Sequence, residues 1–440
     1  MGARALSLSY RNRELVYLAV VGVLTGIGFA SVYIARQSEV SWGSLGYAIF
    51  FFALYVAAHL VARYTVPHAD PYLLPMAGLL AAVGVTEIYR LGASDAFKQG
   101  LWIVIGVALF ALALLRLRRD YRVLEQLKYV FGVTAIVLLF LPRVPGLGTT
   151  VNGARLWVHV GAFQFQPGEF SKIFLIVFLA GYLREKREVL AQGRLKDLGP
   201  LLLIWGAAML VLVATNDFGS ALLYFGIFLS MLYVATGRLS FVLVGIGLFL
   251  AGGYGAYEKI AHVHERVTIW LHPWTTQKVF CPTTGGLALR QDCQSYQLVK
   301  SLYSIANGGF GGAGLGKGTF TTTDGRQLIP FVNSDFIYSA LAQELGLVGA
   351  AALLLVFMLF VARGMKVALQ ADDGFSKLLA AGLTFGFAVQ TFIIVGGVVR
   401  LIPLTGITLP FVSYGGSSVV ANILLLAGLL LVSQRANSTQ

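Results

Sequence analysis

Long apolar runs dominate this sequence and restrict what it can fold into. Most are roughly 17 to 25 residues long, which is the length that an α-helix needs to cross a bilayer. Charged residues make up 12% of the 440 residues and hydrophobic residues 57%, whereas a soluble globular chain carries about 25% charged residues. The alternating segments of about ten residues that are typical of an outer-membrane barrel are absent from the sequence. The sequence therefore predicts an all-α fold, a polytopic helical membrane protein.

Twelve segments have the apolar character of transmembrane helices. The weakest is the fifth, which is short, and only three residues separate the seventh from the eighth. The segments are predicted at about 15–34, 44–62, 72–90, 99–115, 128–141, 170–183, 198–214, 218–236, 239–257, 336–362, 378–398 and 409–432. An even number of spans places both termini on the same side of the membrane.

Lysine and arginine residues indicate which side is cytoplasmic, because they are enriched in short cytoplasmic loops. The predicted topology puts most basic segments on the side of the termini, namely 4–13, 116–128, 184–196 and 363–377. We therefore expect both termini to be cytoplasmic. The net charge of +13 is then largely a topology signal, with some attraction to anionic membrane lipids. Nucleic-acid binding is not expected.

One long extracytoplasmic loop follows from this topology, at about 258–335. It contains the two cysteines of the chain, Cys281 and Cys293. Because this side of the membrane is oxidising, we expect a disulfide between them, with two free thiols as the alternative. Two cysteines alone are too few ligands for a zinc site.

Ionisable residues at the ends of membrane spans are costly and therefore mark candidate functional sites. The stretch 152–166, which contains Arg155, is amphipathic and too short and too polar to cross. We therefore expect it either to lie in the outer membrane interface or to dip into the membrane. Glu169 and Lys172 follow and share a helix face in the first turn of the sixth span. They form either a mutually neutralising pair or a charged wall for a polar headgroup.

The second half of the long loop is rich in glycine. An amphipathic helix is predicted at 295–306, and seven glycines lie between 308 and 318. Residues 311–317 superficially imitate a nucleotide-binding P-loop, but Gly318 replaces the required Ser or Thr and no strand precedes it. This excludes a nucleotide site. What remains is a flexible loop, or a loop whose backbone N–H groups and Lys317 approach a phosphate or pyrophosphate.

Two aspartates begin predicted spans. Asp217 stands where a helix N-cap belongs, so its role is either that of a cap or that of a site residue. Asp335 precedes the 336–362 span, but the neighbouring Ser334 is also a good cap. Glu344 follows nine residues later, about 900° of helical rotation away and hence on the opposite face. If Asp335 does chemistry, it therefore acts as a single carboxylate.

The start of the last span is broken. Pro403, Pro410 and the run Gly415, Gly416, Ser417 and Ser418 interrupt it. Such a break is tolerable where the backbone lines a cavity or is packed in protein. We interpret it either as a kinked start of the helix or as part of a binding site to which Ser417 and Ser418 contribute.

Taken together, these segments resemble the SEDS family (shape, elongation, division and sporulation), which includes RodA and FtsW. The resemblance covers the chain from about residue 72 to its end. We therefore expect a core at 71–440 and two additional helices at 1–70, an extension typical of actinobacterial RodA-like proteins. The matching blocks are, in order, "NGARLW...FQFQPGEFSK", "NDFGSAL", "YQLVKSLYSIANGGFGGAGLGKG", "NSDFIYSALAQELG" and "GITLPFVSYGGSS".

The resemblance implies a peptidoglycan glycosyltransferase of the bacterial cytoplasmic (inner) membrane that polymerises lipid II into glycan strands during cell elongation. A class B penicillin-binding protein would supply the transpeptidase, and the active site would lie on the extracytoplasmic side. The essential aspartate of the family matches Asp335. A lipid II flippase, or a scaffold that recruits a cell-wall synthase, is the alternative.

The implied reaction needs few groups. Inverting transfer from an α-linked sugar pyrophosphate needs one base for the acceptor hydroxyl and no carboxylate nucleophile, and Asp335 would be that base. The undecaprenyl pyrophosphate leaving group needs positive charge, from side chains or from a divalent cation such as Mg²⁺ or Mn²⁺. Arg326 and Arg400 are further cations on this side, while the candidate substrate-binding residues are Arg155, Glu169, Lys172, Asp217, Lys317, Ser417 and Ser418.

Overall fold

The structure is a computed structural model, and it consists almost entirely of helices. It describes residues 2–37, 42–151, 154–161, 163–191, 199–275, 277–281, 285–321 and 327–438. The helices are α1 Gly2–Gln37, α2 Trp42–Thr65, α3 Leu73–Leu91, α4 Ala93–Leu117, α5 Val123–Gln126, α6 Lys128–Phe140, α7 Pro167–Ala191, α8 Gly199–Ala214, α9 Phe218–Thr236, α10 Leu239–Lys259, α11 Ala261–Leu271, α12 Tyr296–Gly308, α13 Ile337–Gln370, α14 Gly374–Val398 and α15 Gly416–Ser438. The strands are β1 Gly148–Val151, β2 Ala154–Val160, β3 Phe163–Phe165, β4 Lys278–Cys281 and β5 Gly286–Leu289.

A helix lies at each of the twelve predicted spans. Among the described residues, nine helices are long and apolar enough to cross a membrane, which confirms a polytopic helical membrane protein. The other three, α6, α7 and α8, are shorter or more polar. The last span begins at Gly416 rather than near 409, because the preceding residues do not adopt helical structure.

The core of the molecule lies around α3, α14 and α15, most of whose side chains are buried. These helices are apolar around most of their circumference, as expected for helices surrounded by other helices. At the periphery, α10 has no buried residue, and its apolar side chains face outward. An apolar surface of this kind is stable in contact with lipid.

The helices define two ends of the molecule. At one end, Arg363 of α13 pairs with Asp70, just before α3. At the other end, Arg90 of α3 pairs with Glu344 of α13 at 3.1 Å. We call these ends the Asp70 face and the Asp335 face. The first part of α1 and the end of α15 lie at the Asp70 face, since Arg11 donates to the Ala69 carbonyl and Asn437 to that of His68.

The first two helices pack onto the rest of the bundle. Phe29 of α1 contacts Tyr89 of α3 edge to face, with ring centroids 5.3 Å apart. The Tyr55 hydroxyl of α2 donates to the Gly78 carbonyl of α3 at 3.2 Å. The additional pair is therefore attached to the core along α3.

Two small sheets interrupt the all-helical pattern that the sequence predicts. Strands β1, β2 and β3 form an antiparallel sheet in the order β1-β2-β3, in the region expected to be an amphipathic interfacial stretch. Val151 pairs with Ala154 across the Asn-Gly pair at 152–153, a dipeptide that favours tight hairpin turns. The β-branched residues beside it favour strands.

The second sheet lies in the long loop. Strands β4 and β5 pair antiparallel, and Cys281 at the end of β4 forms a disulfide with Cys293, with a Cα–Cα distance of 5.8 Å. The amphipathic helix expected at 295–306 corresponds to α12, Tyr296–Gly308. The disulfide therefore ties the hairpin to the segment that leads into α12.

Candidate active site

Asp335 lies where two non-helical segments meet. One precedes α13, and the other, at 400–415, precedes α15. Hydrogen bonds join the two segments: the Ser413 hydroxyl donates to the Ser334 carbonyl at 2.6 Å, and the Tyr414 N–H donates to the Asn333 carbonyl at 2.8 Å. The broken start of the last span is thus packed in protein, as its polar backbone requires.

Close approach of the backbone fixes this arrangement. At Gly84 of α3, a Cβ would collide with the backbone of Val412. Gly406 has φ +75°, and a Cβ there would lie 3.6 Å from Asp335 Oδ2. Glycine at these positions lets the 400–415 segment reach both α3 and the catalytic candidate.

Asp335 does not cap α13. The residue at the N-cap position is Phe336, without a side-chain capping bond. Asp335 keeps some solvent exposure, but burial of its carboxyl group raises its pKa to about 6, against the lowering effects of a Ser334 hydrogen bond and the Arg266 charge. The carboxyl group is therefore suited to accept a proton near neutral pH.

Arg266 of α11 was missed by the sequence analysis. Its Nη1 donates to the carbonyls of Leu404 and Thr405, at 2.9 Å each, and its charge acts on both Asp335 and Asp217. The signal that could have found it is the apolar spacing Val263, Val267 and Trp270, which predicts a short helix inside the long loop.

A second arginine attaches the other end of α11. Arg400 Nε donates to the Trp270 carbonyl at 2.8 Å, and Nη2 to that of Leu271 at 2.9 Å. These are the last carbonyls of α11, which have no partners within the helix. Arg400, which the sequence suggested as a cation for the leaving group, is therefore used to hold α11 against the 400–405 backbone.

Asp217 is the N-cap of α9, with its carboxylate accepting a hydrogen bond from the Ser220 N–H at 2.9 Å. Burial raises its pKa, against the hydrogen bonds from Ser220; the Glu169 charge raises it further and Arg266 lowers it. Asp217 is therefore a helix cap. Its charge also acts on Arg266, as that of Asp335 does, so a role in the site stays a prediction.

Four of the predicted substrate-binding residues come together. Lys172 Nζ contacts Glu169 at 2.6 Å and the Gln390 side-chain oxygen at 2.7 Å. The Gln390 amide donates to the Thr408 carbonyl at 2.9 Å, and the Thr408 hydroxyl to that of Ser418 at 2.7 Å. Ser417 accepts from the Gln166 N–H at 2.8 Å. Lys172 is only 2% exposed, so the observed geometry is that of a neutralised ion pair; its role in substrate binding stays a prediction.

Arg155 and Lys317 lie apart from this network. Nη2 of Arg155 donates to the carbonyls of Val144 and Gly148, and Lys317 is exposed on the glycine-rich loop. Within the described ranges, neither side chain hydrogen-bonds to Asp335. Arg326 lies outside the described residues.

The glycine-rich loop already binds a carboxylate of the protein itself. Glu344 of α13 accepts hydrogen bonds from the N–H groups of Gly316 at 2.7 Å and Gly318 at 3.0 Å. It also pairs with Arg90 at 3.1 Å. In this conformation, the loop donors that the sequence offered for a phosphate are occupied.

Unusual backbone conformations occur in the segments that carry Asp217 and Asp335 and in the 400–415 segment. Four non-glycine residues in the described chain have positive φ: Asn216, Phe331, Arg400 and Phe411. Asn216 precedes Asp217, Phe331 lies four residues before Asp335, and the other two belong to the 400–415 segment. Such conformations are uncommon and collect at functional sites.

The structure does not test whether a metal ion takes part. In the part of the chain that the structure describes, no group of three or more His, Cys, Asp or Glu side chains could hold a metal ion. A divalent cation therefore stays a prediction, as an ion that would accompany a pyrophosphate.

Comparisons with known proteins identify the family. The peptidoglycan glycosyltransferase RodA of Mycobacterium leprae is 39% identical over 447 residues, covering 97% of this chain and 91% of that protein. Stage V sporulation protein E of Bacillus subtilis is 34% identical over 381 residues, covering 83% of this chain and 97% of that protein. The mycobacterial match therefore includes the two additional helices.

Solved structures give the same result. A chain from a peptidoglycan synthase complex that coordinates polymerization and crosslinking matches with a TM-score of 0.68 and 26% identity, covering 84% of this chain and 99% of that chain. The rod shape determining protein RodA of Thermus thermophilus matches in fold, with a TM-score of 0.50 at 22% identity. The family model described as "Cell cycle protein" for FtsW, RodA and SpoVE matches residues 71–438. The chain therefore belongs to the FtsW/RodA/SpoVE family of cell cycle proteins.

Proposed function

We propose that this protein is a peptidoglycan glycosyltransferase that polymerises lipid II into glycan strands during cell elongation. The observation that carries the proposal is a single, partly buried carboxyl group, Asp335, with its pKa raised to about 6 among strained loops at the end of a membrane bundle. Two relatives of known name support the chemistry, since the mycobacterial protein and the chain in the synthase complex belong to peptidoglycan synthesis.

The mechanism is a single displacement. Asp335 accepts the proton of the acceptor sugar 4-hydroxyl as that oxygen attacks the anomeric carbon of the donor. The bond to the pyrophosphate breaks in the same step, and undecaprenyl pyrophosphate leaves. Because the configuration inverts once, no second carboxylate is needed, in agreement with the separation of Asp335 from Glu344, which is bound to Arg90 and the glycine-rich loop.

Charge at the site must favour the leaving group. Arg266 is the cation that acts on Asp335 in the described structure, whereas Lys172 is paired with Glu169. Mg²⁺ or Mn²⁺ bound to the pyrophosphate would supply further positive charge. Arg155, Glu169, Asp217, Lys317, Ser417 and Ser418 remain candidates for contacts to lipid II and the nascent strand.

Orientation and partner belong to the same proposal. We infer that the Asp335 face is extracytoplasmic and the Asp70 face, with both termini, cytoplasmic, since basic residues are enriched in cytoplasmic loops. A class B penicillin-binding protein is the proposed partner, because a transpeptidase must crosslink the strands. The similarity to a chain of a synthase complex supports this assignment.

The test is polymer formation from labelled lipid II in detergent, with and without the partner. The wild type and Asp335→Asn are compared after both have been shown to fold equally well. Polymer from the wild type alone supports the proposal. If neither protein makes polymer under conditions in which another polymerase works, the enzyme assignment is wrong, and transport of lipid II across vesicles becomes the next assay.

A further inference from the structure

The short helix α11 is held across the 400–406 segment by two arginines that donate to the backbone. Arg400 binds the carbonyl end of α11. Arg266 reaches in the other direction, from α11 to the carbonyls of Leu404 and Thr405. The next residue, Gly406, is the one beside Asp335 Oδ2. Arg266 therefore holds the backbone that flanks the carboxyl group.

Arg266 also lies between two acids from different elements. Asp335 precedes α13, and Asp217 caps α9; the charges of both act on the guanidinium. An arginine guanidinium stays protonated and has five N–H donors, and only Nη1 makes hydrogen bonds to the described residues. Its remaining donors and its charge are thus available to the acids and to substrate.

We propose that Arg266 is a positioning residue for the general base: its hydrogen bonds to the Leu404 and Thr405 carbonyls fix the 404–406 backbone beside Asp335 and hold the guanidinium charge at this site. This inference rests on the proposed function, in which the Asp335 carboxylate accepts the proton. Arg266 acts through Asp335 and through the backbone, and it need not contact the reacting atoms.

Several other groups act on Asp335 or on Arg266, and each must be considered when the pKa of Asp335 is measured. Ser334 supplies a hydrogen bond on its own segment. From α9, Asp217 competes for the Arg266 charge, and from α7, Glu169 acts on Asp217. On α11 itself, Glu265 acts on Arg266. Among the described residues, Arg266 is the cation whose charge lowers the pKa of Asp335.

The experiment measures the pH dependence of lipid II polymerisation in four proteins. These are the wild type, Arg266→Gln, Arg266→Lys and Lys259→Gln, which removes an exposed charge from the end of α10. In Arg266→Gln, the acid limb of the kcat profile should move to higher pH by about one unit, since a neighbouring arginine lowers a carboxyl pKa by about 1 to 3 units. Arg266→Lys should keep the limb near the wild-type position but lower kcat, because an ammonium keeps the charge and loses the forked donation.

A second variant, Asp217→Asn, should shift the acid limb in the opposite direction, so the proposal can be tested even if Arg266→Gln does not fold. Asp217→Asn retains a good N-cap residue and removes the competing carboxylate, so the acid limb should move to lower pH. An unchanged limb in Arg266→Gln, or an equal shift in Lys259→Gln, overturns the proposal, as does a limb that stays in place in Asp217→Asn.

A direct titration separates this inference from the proposed function. Protein labelled with ¹³C at aspartate carboxyl groups is titrated by NMR, and the Asp335 signal is the one lost in Asp335→Asn. Its midpoint should rise in Arg266→Gln and fall in Asp217→Asn, whether or not the protein makes polymer. If the midpoints move as expected but no polymer forms, the coupling holds and the proposed function fails. If polymer forms but the midpoints do not move, the positioning role of Arg266 is wrong.

Discussion

Asp335 and Glu344 are two acids at the same face of the molecule, both near an arginine, and their surroundings differ. Glu344 is fully buried and accepts hydrogen bonds from Arg90, Gly316 and Gly318. Asp335 is affected by Arg266 through charge, without a hydrogen bond between the two in the described structure. Three protein donors occupy the carboxylate oxygens of Glu344, whereas Ser334 supplies the one hydrogen bond to the Asp335 carboxyl group among the described residues.

The difference distinguishes a structural acid from a reactive one. Glu344 holds the glycine-rich loop on α13, where Gly346 has φ +69° and receives the loop residue Gly312. The Glu344 carboxylate is buried and bonded to three protein donors, so its contacts are those of a residue that stabilises the fold. Burial raises the pKa of Asp335, so this residue has the properties of a general base.

Asp335→Asn should give the largest change in activity. Loss of a general base costs about 10²- to 10⁴-fold in rate, measured as polymer formed from lipid II. Stability should not fall: since the pKa of Asp335 is raised from 3.8 to about 6 in the folded protein, its ionisation opposes folding as pH rises through that interval. A strong drop in the unfolding midpoint at pH 7 would show that Asp335, like Glu344, has a structural role.

Glu344→Gln should give the opposite pattern. The amide keeps the shape but removes the negative charge that pairs with Arg90 at 3.1 Å, which for a buried pair costs up to about 3 to 5 kcal/mol. The measurement is thermal unfolding in detergent. The matched control is Glu185→Gln, which removes the exposed partner of Lys128 at 2.8 Å and should cost at most about 1 kcal/mol. Equal shifts in the two variants would contradict a structural role specific to Glu344.

The pH dependence of the wild type should reflect Asp335. The base is the deprotonated form, so polymerisation should decline as pH falls through about 6, the raised pKa of Asp335. Initial rates at saturating lipid II give the profile, and an unrelated polymerase in the same detergent reports any effect of pH on the substrate. A flat profile between pH 5 and pH 7 (about one unit on either side of that value) would exclude Asp335 as the base.

The helices of this fold are predictable from sequence, because each apolar run long enough to span a bilayer has few alternatives to a helix. The sheet β1–β3 also has a signal in the sequence: the Asn-Gly pair at 152–153 favours a hairpin turn, and the β-branched residues at 149–151 before it favour a strand. It was outweighed by the amphipathic pattern of the same stretch. Helix α11 was missed because its three apolar positions lie inside a long polar loop.

The site was predictable in part. Asp335 stands out because a charge at the start of an apolar run needs a reason, and its spacing from Glu344 excluded a pair. Arg266 and Asp335 are far apart in the chain, and no local pattern indicates that they approach each other. The same holds for Lys172, whose partner Gln390 lies on α14, so a buried and an available lysine look alike in sequence.

Lys317→Gln should have the smallest effect, and it tests the glycine-rich loop directly. Lys317 is exposed, and the neighbouring N–H groups of Gly316 and Gly318 donate to Glu344. Loss of an exposed charge is worth about 1 kcal/mol or less, at most about fivefold in KM for lipid II, with kcat and the unfolding midpoint unchanged. The measurement is KM at two salt concentrations. A tenfold or larger rise in KM that persists at high salt would show that the loop leaves Glu344 to bind the pyrophosphate. The glycine-rich loop would then be part of the active site, together with Asp335.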